Sequence, residues 1–494
     1  MKQEIFRMER VSCLEHGIVQ LDGFNLNIFS SEIMGLLPIN NHGLTALLQL
    51  IQRNTPLRYG YMYYREEQVN TWRKSKQRNN RIGLIQSESC LVEGLTVADN
   101  IFVLRPEFKT WLIKPSVLRK QLLPFSESIG IYISADTYVE ELSPFEKVVV
   151  DVLKFVMAGC KLIVLRDICA NICEAELKKI HRLLKHYADQ GISFLYIDLH
   201  IEELKQVCDK VALMSNGRIV KVLQSDTSMP DVFQNYTKEY IEKANQQIYF
   251  SEVALRNGSP VFEAKGICAE IVNNLSFTAC TGECLVLQNA DVQLFEEFLS
   301  ILGGENVQKR GKILINNEEI TPHIGDDIAV IQELPTESML FKEMSYIDNL
   351  CFLLDHRLPE IWRDENVRAG IRREYAAILG NDVFDKRIDA LSEIQKYELI
   401  YMRIAIQKPK VVFCVQPFRR ADMELRMRIW QLLKMLKEKN IAVVILAINL
   451  TDSLSLADRL IRIRKDKPNE AYLRSQFSSM SVGAPWVELY KEIR

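Results

Sequence analysis

Residues 32–48 read EIMGLLPINNHGLTALL, an apolar strand, a turn rich in Asn and Gly, and the apolar start of a helix. A phosphate-binding loop has this order, and its pattern G-x-x-x-x-G-K-[ST] supplies backbone amides and a Lys to phosphate and a hydroxyl to magnesium. In this stretch Pro38 stands at the first Gly position, Gly43 is kept, and Leu44 replaces the Lys. The stretch therefore predicts the shape of a phosphate-binding loop without its positive charge.

The bulk properties of the chain are those of a multidomain globular protein. Its 494 residues predict two or more domains, at roughly 150 residues per domain. A net charge of −2 gives no global attraction to nucleic acid or to anionic membranes. No apolar run approaches the roughly 20 residues that span a bilayer, the first residues lack a secretory signal, and eleven scattered cysteines suit a reducing compartment. These features predict a cytoplasmic protein.

The second half of the chain repeats the first half. The segment LTVADNIF at 95–102 returns as MSYIDNLCF at 344–352, Leu142-Ser143 returns as Leu391-Ser392, and Asp209 returns as Asp458. The three blocks are displaced by the same number of residues, which indicates that one domain has been duplicated.

Each copy has the same predicted order of elements. Alternating segments such as residues 18–28 indicate an antiparallel sheet, and a strand, turn and helix follow around Gly43 and around residues 285–298. A helix-rich middle comes next, over 117–129 and 360–379. Two apolar strands, 162–165 and 194–197, then flank an amphipathic helix over 174–188.

This order predicts an α/β fold with two tandem domains. Each domain should contain a parallel α/β core, an antiparallel β subdomain and a helical subdomain. We place the domains at residues 1–225 and 261–494, joined by a linker over 226–260 that contains a charged helix over 234–247.

This framework resembles the tandem ATP-binding subunit of bacterial carbohydrate ABC importers of the ribose and galactose type. The resemblance rests on Leu142-Ser143, Lys161–Leu165, Asp209–Val220, Gly282-Glu283, Pro409–Val412 and Asp458-Arg459, and it covers the chain up to about residue 467. It implies two ABC-type nucleotide-binding domains that pair head to tail. Each ATP would then lie between the phosphate loop of one copy and the L-S-G-G-Q signature of the other.

The signature positions depart from the family in both copies. The sequences are LSPFE, with Ser143 kept, and LSEIQ, with Ser392 kept, and neither contains Gly. In the family the signature glycines let the backbone approach phosphate closely. We therefore expect Phe145 and Ile394 to obstruct that approach and Glu146 to add an unfavourable negative charge.

The metal and water positions are altered as well. The family's strand ends in Asp-Glu, which supplies one carboxylate for magnesium and one for the attacking water. Here the corresponding ends are Arg166-Asp167 and Val415-Gln416. We expect Arg166 to repel a metal cation, and Asp167 is at most a weak catalytic candidate.

The remaining family positions complete a degenerate set. Phe295 stands at the Lys position of the second phosphate loop, with Glu296 as an acid placed to occupy the anion site at the helix N-terminus. His200 lies one residue after the switch-His position. Gln86 and Gln332 lie one residue before the Gln-loop positions, and an alignment shifted by one would place both correctly. The predicted nucleotide-binding positions are Asn41, Gly43, Leu44, Thr45, Gln86, Ser143, Arg166, Asp167, His200, Phe295, Gln332, Ser392 and Gln416.

Other polar clusters are predicted to be structural. The basic run Arg73–Arg81 is interpreted as a solvated loop, because no aromatic array beyond Trp72 accompanies it, and we predict no nucleic-acid partner. Arg419-Arg420 is interpreted as solvent-facing for the same reason. His181 and His186 are poorly aligned on one helix face, so we predict no metal site.

The residues that build the core are kept, and those that handle phosphate and metal are lost. Losing one preorganised contact commonly lowers a rate by about 10²–10³-fold. We therefore predict a pseudo-ATPase that acts as a regulatory or structural subunit at the inner face of the membrane. Its expected partner is a transmembrane permease or an active ABC ATPase subunit, and a homodimer is a further option.

The alternative is an active sugar-import ATPase that holds ATP and magnesium through Gly43 and Thr45 and positions water with Asp167. A soluble tandem ABC translation factor is a third option, which the short joint between the copies disfavours.

Overall fold

The computed structural model describes most of the chain. The described residues are 3–15, 17–74, 79–86, 89–102, 120, 130–168, 172–224, 258–289, 291–306, 308–321, 323–352, 365–380, 382–450, 453–464 and 469–479. The predicted helix over 234–247, nearly all of the predicted helix over 117–129 and most of the linker lie outside these ranges. The chain divides into two units, Met1–Lys238 and Glu239–Arg494.

Unit 1 contains two sheets. Its antiparallel sheet has β1 (Glu4–Glu15), β2 (Ile18–Phe29), β4 (Tyr59–Tyr64) and β5 (Glu67–Thr71), in the order β2-β1-β4-β5. Its second sheet has β3 (Ile33–Pro38), β6 (Ile82–Ile85), β7 (Leu162–Arg166), β8 (Ser193–Ile197), β9 (Lys210–Ser215) and β10 (Arg218–Gln224), in the order β10-β9-β3-β8-β7-β6. All neighbours in the second sheet are parallel except β9 and β10. The described helices are α1 (Leu44–Gln52), α2 (Val97–Phe102), α3 (Pro144–Met157), α4 (Glu174–Asp189) and α5 (Ile201–Val207).

Unit 2 repeats this topology. Its antiparallel sheet has β11 (Pro260–Cys268), β12 (Leu275–Cys280), β14 (Arg310–Ile315) and β15 (Glu318–Glu319), in the order β12-β11-β14-β15. Its second sheet has β13 (Cys284–Gln288), β16 (Ile328–Ile331), β17 (Val411–Val415), β18 (Ala442–Ala447), β19 (Arg459–Arg462) and β20 (Glu470–Leu473), in the order β16-β17-β18-β13-β19-β20. Its described helices are α6 (Val292–Leu302), α7 (Pro335–Ser338), α8 (Tyr346–Cys351), α9 (Glu365–Leu379), α10 (Glu393–Gln407) and α11 (Met423–Glu438). The predicted duplication and the predicted α/β fold class are confirmed.

The central strands are buried along their whole length. Every residue of β3, β8 and β18 is buried. A parallel strand that is covered on both faces needs apolar side chains on both faces, which explains the continuous apolar runs in the sequence. Strand β4 instead alternates between exposed and buried residues, so its sheet has one face toward solvent.

An aspartate fixes the start of the central strand in each unit. In unit 1 the Asp209 carboxylate accepts a hydrogen bond from the Ile33 amide at 2.9 Å, and the Asp209 amide donates to the Ile33 carbonyl at 2.9 Å. In unit 2 Asp458 makes the same two bonds with Cys284, both at 2.8 Å. These bonds join the first residue of β3 or β13 to the residue before β9 or β19, which explains why the aspartate recurs.

The residue after each aspartate is a cation that also recurs. Lys210 pairs with Glu32 at 3.0 Å, and Arg459 pairs with Glu283. The two glutamates each accept a backbone hydrogen bond at 2.8 Å from the residue three positions earlier. The same acid–cation pair therefore closes the turn before the central strand in both units.

Among the helices within the described ranges, none has both the length and the apolar character needed to cross a membrane.

The two aspartates offer a matched stability test. Asp458 also pairs with the Lys437 ammonium at 2.8 Å, and the Lys437 side chain is only 7% exposed. We expect Asp458→Ala to lower the free energy of unfolding by about 3–5 kcal/mol, because it leaves a buried cation unpaired. Asp209→Ala removes a backbone partner only and should cost about 1–3 kcal/mol. Calorimetric unfolding measures both variants.

Lys437→Met in the Asp458→Ala background is the control. It removes the unpaired charge and should recover at least about 1 kcal/mol. Equal costs for the two aspartate variants, or no recovery in the double variant, would contradict this assignment.

Candidate nucleotide site

Three segments that carry predicted site residues of unit 1 meet at one edge of the parallel sheet. Carboxyl ends of neighbouring parallel strands meet at the same edge, where ligands bind in open α/β sheets. Two backbone bonds hold the segments there together. The Asp167 amide donates to the Ile197 carbonyl at 3.1 Å, and the Asp198 amide donates to the Leu36 carbonyl at 3.2 Å. The loop after β3, Asp167 after β7 and His200 after β8 therefore share this edge.

The loop between β3 and α1 is held by its own contacts. The Ile39 amide donates to the Met214 carbonyl at 2.8 Å, and the Asn40 and Asn216 side chains share a hydrogen bond of 2.9 Å. The Asn216 amide donates back to the Asn40 side chain at 3.1 Å. His42 Nε2 lies 2.8 Å from the Val19 carbonyl oxygen. These contacts shape the loop without an anion. Asn41 on the loop and Thr45 in the first turn of α1 are exposed.

Gly43 is required for packing. Its φ of 79° is left-handed, and a Cβ there would lie 2.2 Å from the Gln20 carbonyl oxygen in β2. Leu44, at the family's Lys position, is 2% exposed and belongs to the hydrophobic core of unit 1. Gly43 is therefore needed for packing, whether or not the loop binds phosphate. The position that holds Lys in the family is a core position here, occupied by Leu44.

Arg166 and Asp167 form an ion pair with each other. Arg166 Nε lies 3.1 Å from Asp167 Oδ2, and their side chains are 22% and 13% exposed. Asp167 has a φ of 53°. A guanidinium this close competes with any metal cation for the carboxylate, so this donor set does not fit the magnesium ion that the family uses.

His200 is held by a buried carboxylate. His200 Nδ1 lies 3.0 Å from Asp198 Oδ1, and the His200 amide donates to the same oxygen at 2.8 Å. Asp198 is 1% exposed, and His200 is the N-cap residue of α5. The Asp198 carboxylate therefore fixes the position of the His200 ring.

No metal centre emerges from the described side chains. Within the described ranges, no group of three or more His, Cys, Asp and Glu residues is arranged to hold a metal ion. His181 is buried, and burial lowers its pKa to about 4, so its imidazole is neutral at physiological pH.

The corresponding loop of unit 2 is shorter. It spans residues 289–291, between β13 and α6, whereas the loop of unit 1 spans 39–43. Met34 pairs with Lys210 in unit 1 and Leu285 pairs with Arg459 in unit 2, so Met34 and Leu285 are equivalent positions. Leu44 follows Met34 by the same number of residues as Phe295 follows Leu285, so Leu44 and Phe295 are equivalent as well. Phe295 is 3% exposed and packs in the core of unit 2. Helix α6 thus begins before the position that the family gives to Lys.

The acid at the N-terminus of α6 is Asp291. Its carboxylate accepts a hydrogen bond from the Gln293 amide at 3.0 Å and caps the helix. Glu296 is exposed and lies one turn further into α6, so the prediction that Glu296 occupies the anion site is wrong. Because α6 begins at Val292, the residue that caps it is Asp291.

Gln416 belongs to a polar cluster in unit 2. Its side-chain amide donates to Glu333 Oε1 at 2.7 Å, and Arg419 forms an ion pair with the same oxygen. Arg419 is 10% exposed, so the prediction that it faces solvent is wrong. Gln332 accepts a hydrogen bond from the Ser338 hydroxyl instead of joining Gln416. The Glu333–Arg419 pair was not predicted. The indication for it in the sequence was an acid, Glu333, at the Gln-loop position of the copy that also contains Arg419-Arg420.

The two signature serines cap helices. Ser143 and Glu146 form a capping box at the start of α3, with the Ser143 amide 2.9 Å from Glu146 Oε2. Ser392 and Gln395 form the same box at the start of α10, with the Ser392 amide 3.0 Å from Gln395 Oε1. Phe145 is 7% exposed, so the expectation that its side chain obstructs the site is wrong, because it is turned into the protein.

The segment after β6 is attached to α3. Ser89 and Cys90 donate to the two carboxylate oxygens of Asp151 at 2.8 and 2.9 Å, and the Lys154 ammonium donates to the Cys90 carbonyl at 2.9 Å. Burial raises the pKa of Asp151 and raises the pKa of the Cys90 thiol to about 12. Gln86 lines a cavity of ≈ 300 Å³ between this segment and α3. In unit 2 the Arg403 guanidinium donates to the Met339 carbonyl at 2.6 Å, which repeats the Lys154 contact.

Comparison with known proteins agrees with this architecture. The family model for the ABC transporter matches residues 21–169. The ribose import ATP-binding protein RbsA of Streptococcus agalactiae is 22% identical over 454 residues, which cover 89% of this chain and 91% of the relative. RbsA of Clostridium tetani is 21% identical over 479 residues, which cover 93% of each chain. The chain is homologous to ribose import ATP-binding proteins, and its fold is that of two tandem ABC nucleotide-binding domains.

A solved structure shares the fold of this tandem ABC protein. The archaeal ribosome recycling factor aABCE1, solved in complex with the archaeal ribosomal stalk protein aP1, superposes with a TM-score of 0.59. It is 12% identical, and the match covers 94% of this chain and 89% of that one. The similarity shows the fold alone.

The packing role of Gly43 can be tested against Gly17. Both glycines have a left-handed φ, of 79° and 80°, but a Cβ at Gly17 would meet nothing within 4 Å. Gly17→Ala should cost about 1 kcal/mol of stability from its conformation alone. Gly43→Ala should cost about 1–3 kcal/mol more, because α1 must move away from β2. Chemical denaturation measures the difference, and equal costs would exclude the packing role.

Proposed function

We propose that this tandem ABC protein is a catalytically inactive subunit of the carbohydrate-import type, with a regulatory or structural role. One observation carries the proposal. At the nucleotide edge of each unit, the side chains that stand at phosphate and metal positions are engaged by neighbouring groups of the same unit.

The charges in unit 1 support this proposal. Nucleotide hydrolysis needs cations for phosphate and free carboxylates for magnesium and water. Leu44 offers no charge and is buried, and Asp167 is paired with Arg166. His200 is held by Asp198. Gly43 at the end of the loop and Thr45 in the first turn of α1 remain, and they account for weak nucleotide binding at most.

The geometry of unit 2 supports the proposal more strongly. Asp291 caps α6 from the position where a phosphate would meet the helix amides. Glu333 accepts from Gln416 and pairs with Arg419, so its carboxylate is already neutralised. An incoming nucleotide would have to displace an acid and break a largely buried ion pair, and both steps cost free energy.

The proposed partner is a transmembrane permease or an active ABC ATPase subunit. The homologous proteins are named for ribose import, and the kept framework would dock as theirs does. The cavity between the segment after β6 and α3, lined by Gln86, Leu91 and Lys147, is the proposed contact surface in unit 1. This role would place the protein in the cytoplasm at the inner face of the membrane, and self-association into a homodimer is part of the same proposal.

The test is ATP turnover by the purified full-length chain. We expect phosphate release with magnesium and ATP to stay at the buffer background, since each missing contact costs about 10²–10³ in rate. A ribose import ATP-binding protein with an intact phosphate loop, assayed in parallel, is the positive control. Calorimetric titration with a nonhydrolysable ATP analogue should show weak binding or none.

The alternative, an active ATPase with divergent sites, makes the opposite prediction. Magnesium-dependent turnover that disappears in Asp167→Asn would overturn the proposal and establish that alternative. The genes beside this one provide an independent check. An intact ATPase gene next to a permease gene supports a regulatory role, and a permease without any other ATPase supports the active one.

A further inference from the structure

The antiparallel sheet of unit 1 presents a row of tyrosines to solvent. Tyr59, Tyr61 and Tyr63 are alternate residues of β4 and therefore share one face of the sheet, here called the tyrosine face. Tyr59 is 52% exposed and Tyr61 is 38% exposed, while Met62, between Tyr61 and Tyr63, is fully buried. A contiguous row of exposed aromatic rings on one sheet face marks a candidate interaction surface.

Cations accompany these rings. The Arg7 guanidinium lies 4.0 Å from the ring centroid of Tyr63, and the Arg73 guanidinium lies 4.0 Å from that of Trp72. Trp72 is itself 41% exposed. Arg7 lies directly opposite Tyr63 in the strand pairing, so one cation is built into the tyrosine face itself.

The strand register collects further positive charge at one end. Tyr61 pairs with Thr71, the last residue of β5, and the Arg73 and Lys74 amides then donate to the Thr71 hydroxyl in a turn. The exposed side chains of Arg73 and Lys74 therefore belong to the end of the sheet where β4 begins, and the exposed Arg58 directly precedes Tyr59 at that end. Within the described ranges, none of these three cations forms an ion pair. Two acids lie beside Arg7: Glu4 at 3.2 Å, and Glu9, which is opposite Tyr61, at 3.6 Å. The free positive charge is therefore that of Arg58, Arg73 and Lys74 at the end of the sheet.

Unit 2 provides an internal comparison. Strand β14 of unit 2 corresponds to β4 of unit 1, because Ile315 pairs with Phe262 as Tyr64 pairs with Phe6. In this register the positions of Tyr59, Tyr61 and Tyr63 are occupied in unit 2 by Arg310, Lys312 and Leu314. Lys312 is paired with Glu319 at 2.6 Å. The same fold therefore stands without the aromatic row, and the tyrosines are a property of unit 1 rather than a requirement of the sheet.

We propose that the tyrosine face binds single-stranded nucleic acid, with bases stacked on Tyr59 and Tyr61 and phosphates beside Arg58, Arg73 and Lys74. Exposed aromatic rings on a sheet with flanking cations are how single strands are held without dependence on sequence. Alternate residues of a strand are about 6.6 Å apart, which gives successive bases of an extended chain separate rings. The inference is independent of the proposed function, since it uses the sheet face and not the nucleotide edge.

The prediction of no nucleic-acid partner rested on Trp72 as the sole aromatic residue beside the basic run. Strand pairing adds aromatic rings to this sheet, because β4 with its three tyrosines lies next to β5, which Trp72 directly follows. The reason for that prediction is therefore removed within the described part of the chain.

The test is fluorescence anisotropy with the full-length chain and labelled oligouridylate or oligothymidylate probes of about 12 nucleotides. We expect saturable binding at about 50 mM salt, with log K falling against log salt with a slope of about −2, as three phosphate contacts predict. Tyr59→Ala and Tyr61→Ala should each weaken binding by roughly 5- to 100-fold. Tyr61→Phe should keep the affinity, since the ring remains. The two probes distinguish RNA from DNA as the preferred ligand.

Lys312→Ala is the matched control, because Lys312 occupies the position of Tyr61 in unit 2 and should leave binding unchanged. Circular dichroism establishes that each variant is folded. No binding to either probe would overturn the proposal, as would full affinity in the two alanine variants. Equal competition by polyglutamate would also overturn it, since that result would assign the face to acidic protein partners.

Discussion

The bond between an aspartate and the first amide of the central strand is the constraint on which each unit depends. Asp209 holds Ile33, and Asp458 holds Cys284, with matching distances and with a return bond from the aspartate amide. This pair of bonds fixes the register of β3 against β9 and of β13 against β19. The ends of these strands then determine where the loops at the nucleotide edge begin. A shift of one residue would turn every side chain of the strand to the other face.

Because the register is the same, the two nucleotide edges can be compared residue by residue. Both Lys positions, Leu44 and Phe295, have become core residues. Unit 1 keeps a loop held by Asn40 and His42, whereas α6 of unit 2 begins earlier and is capped by Asp291. In both units the polar side chains at this edge form hydrogen bonds with groups of the same unit. The residues that form these bonds differ between the two units.

Local packing also explains which family residues survive. Gly43 lies against the Gln20 carbonyl, and Ser143 and Ser392 complete capping boxes, so all three have structural roles that need no nucleotide. Their retention is therefore compatible with the loss of phosphate chemistry. The same reasoning separates the tyrosine face from the fold, because unit 2 builds an equivalent sheet with Arg310 and Lys312 in those positions.

The sequence by itself determined the fold class, the duplication and the order of strands and helices, because apolar periodicity and repeated spacing are local properties of the chain. It also identified which family positions had changed. Only the tertiary structure decided what the substituted residues do: Phe145 is buried, Arg419 pairs with Glu333, and Asp291 replaces Glu296 as the helix acid. The adjacency of β4, which carries the tyrosines, to β5, which Trp72 follows, was likewise invisible in the sequence. Burial, ion pairing and strand adjacency join residues that are distant along the chain, and no local pattern records those contacts.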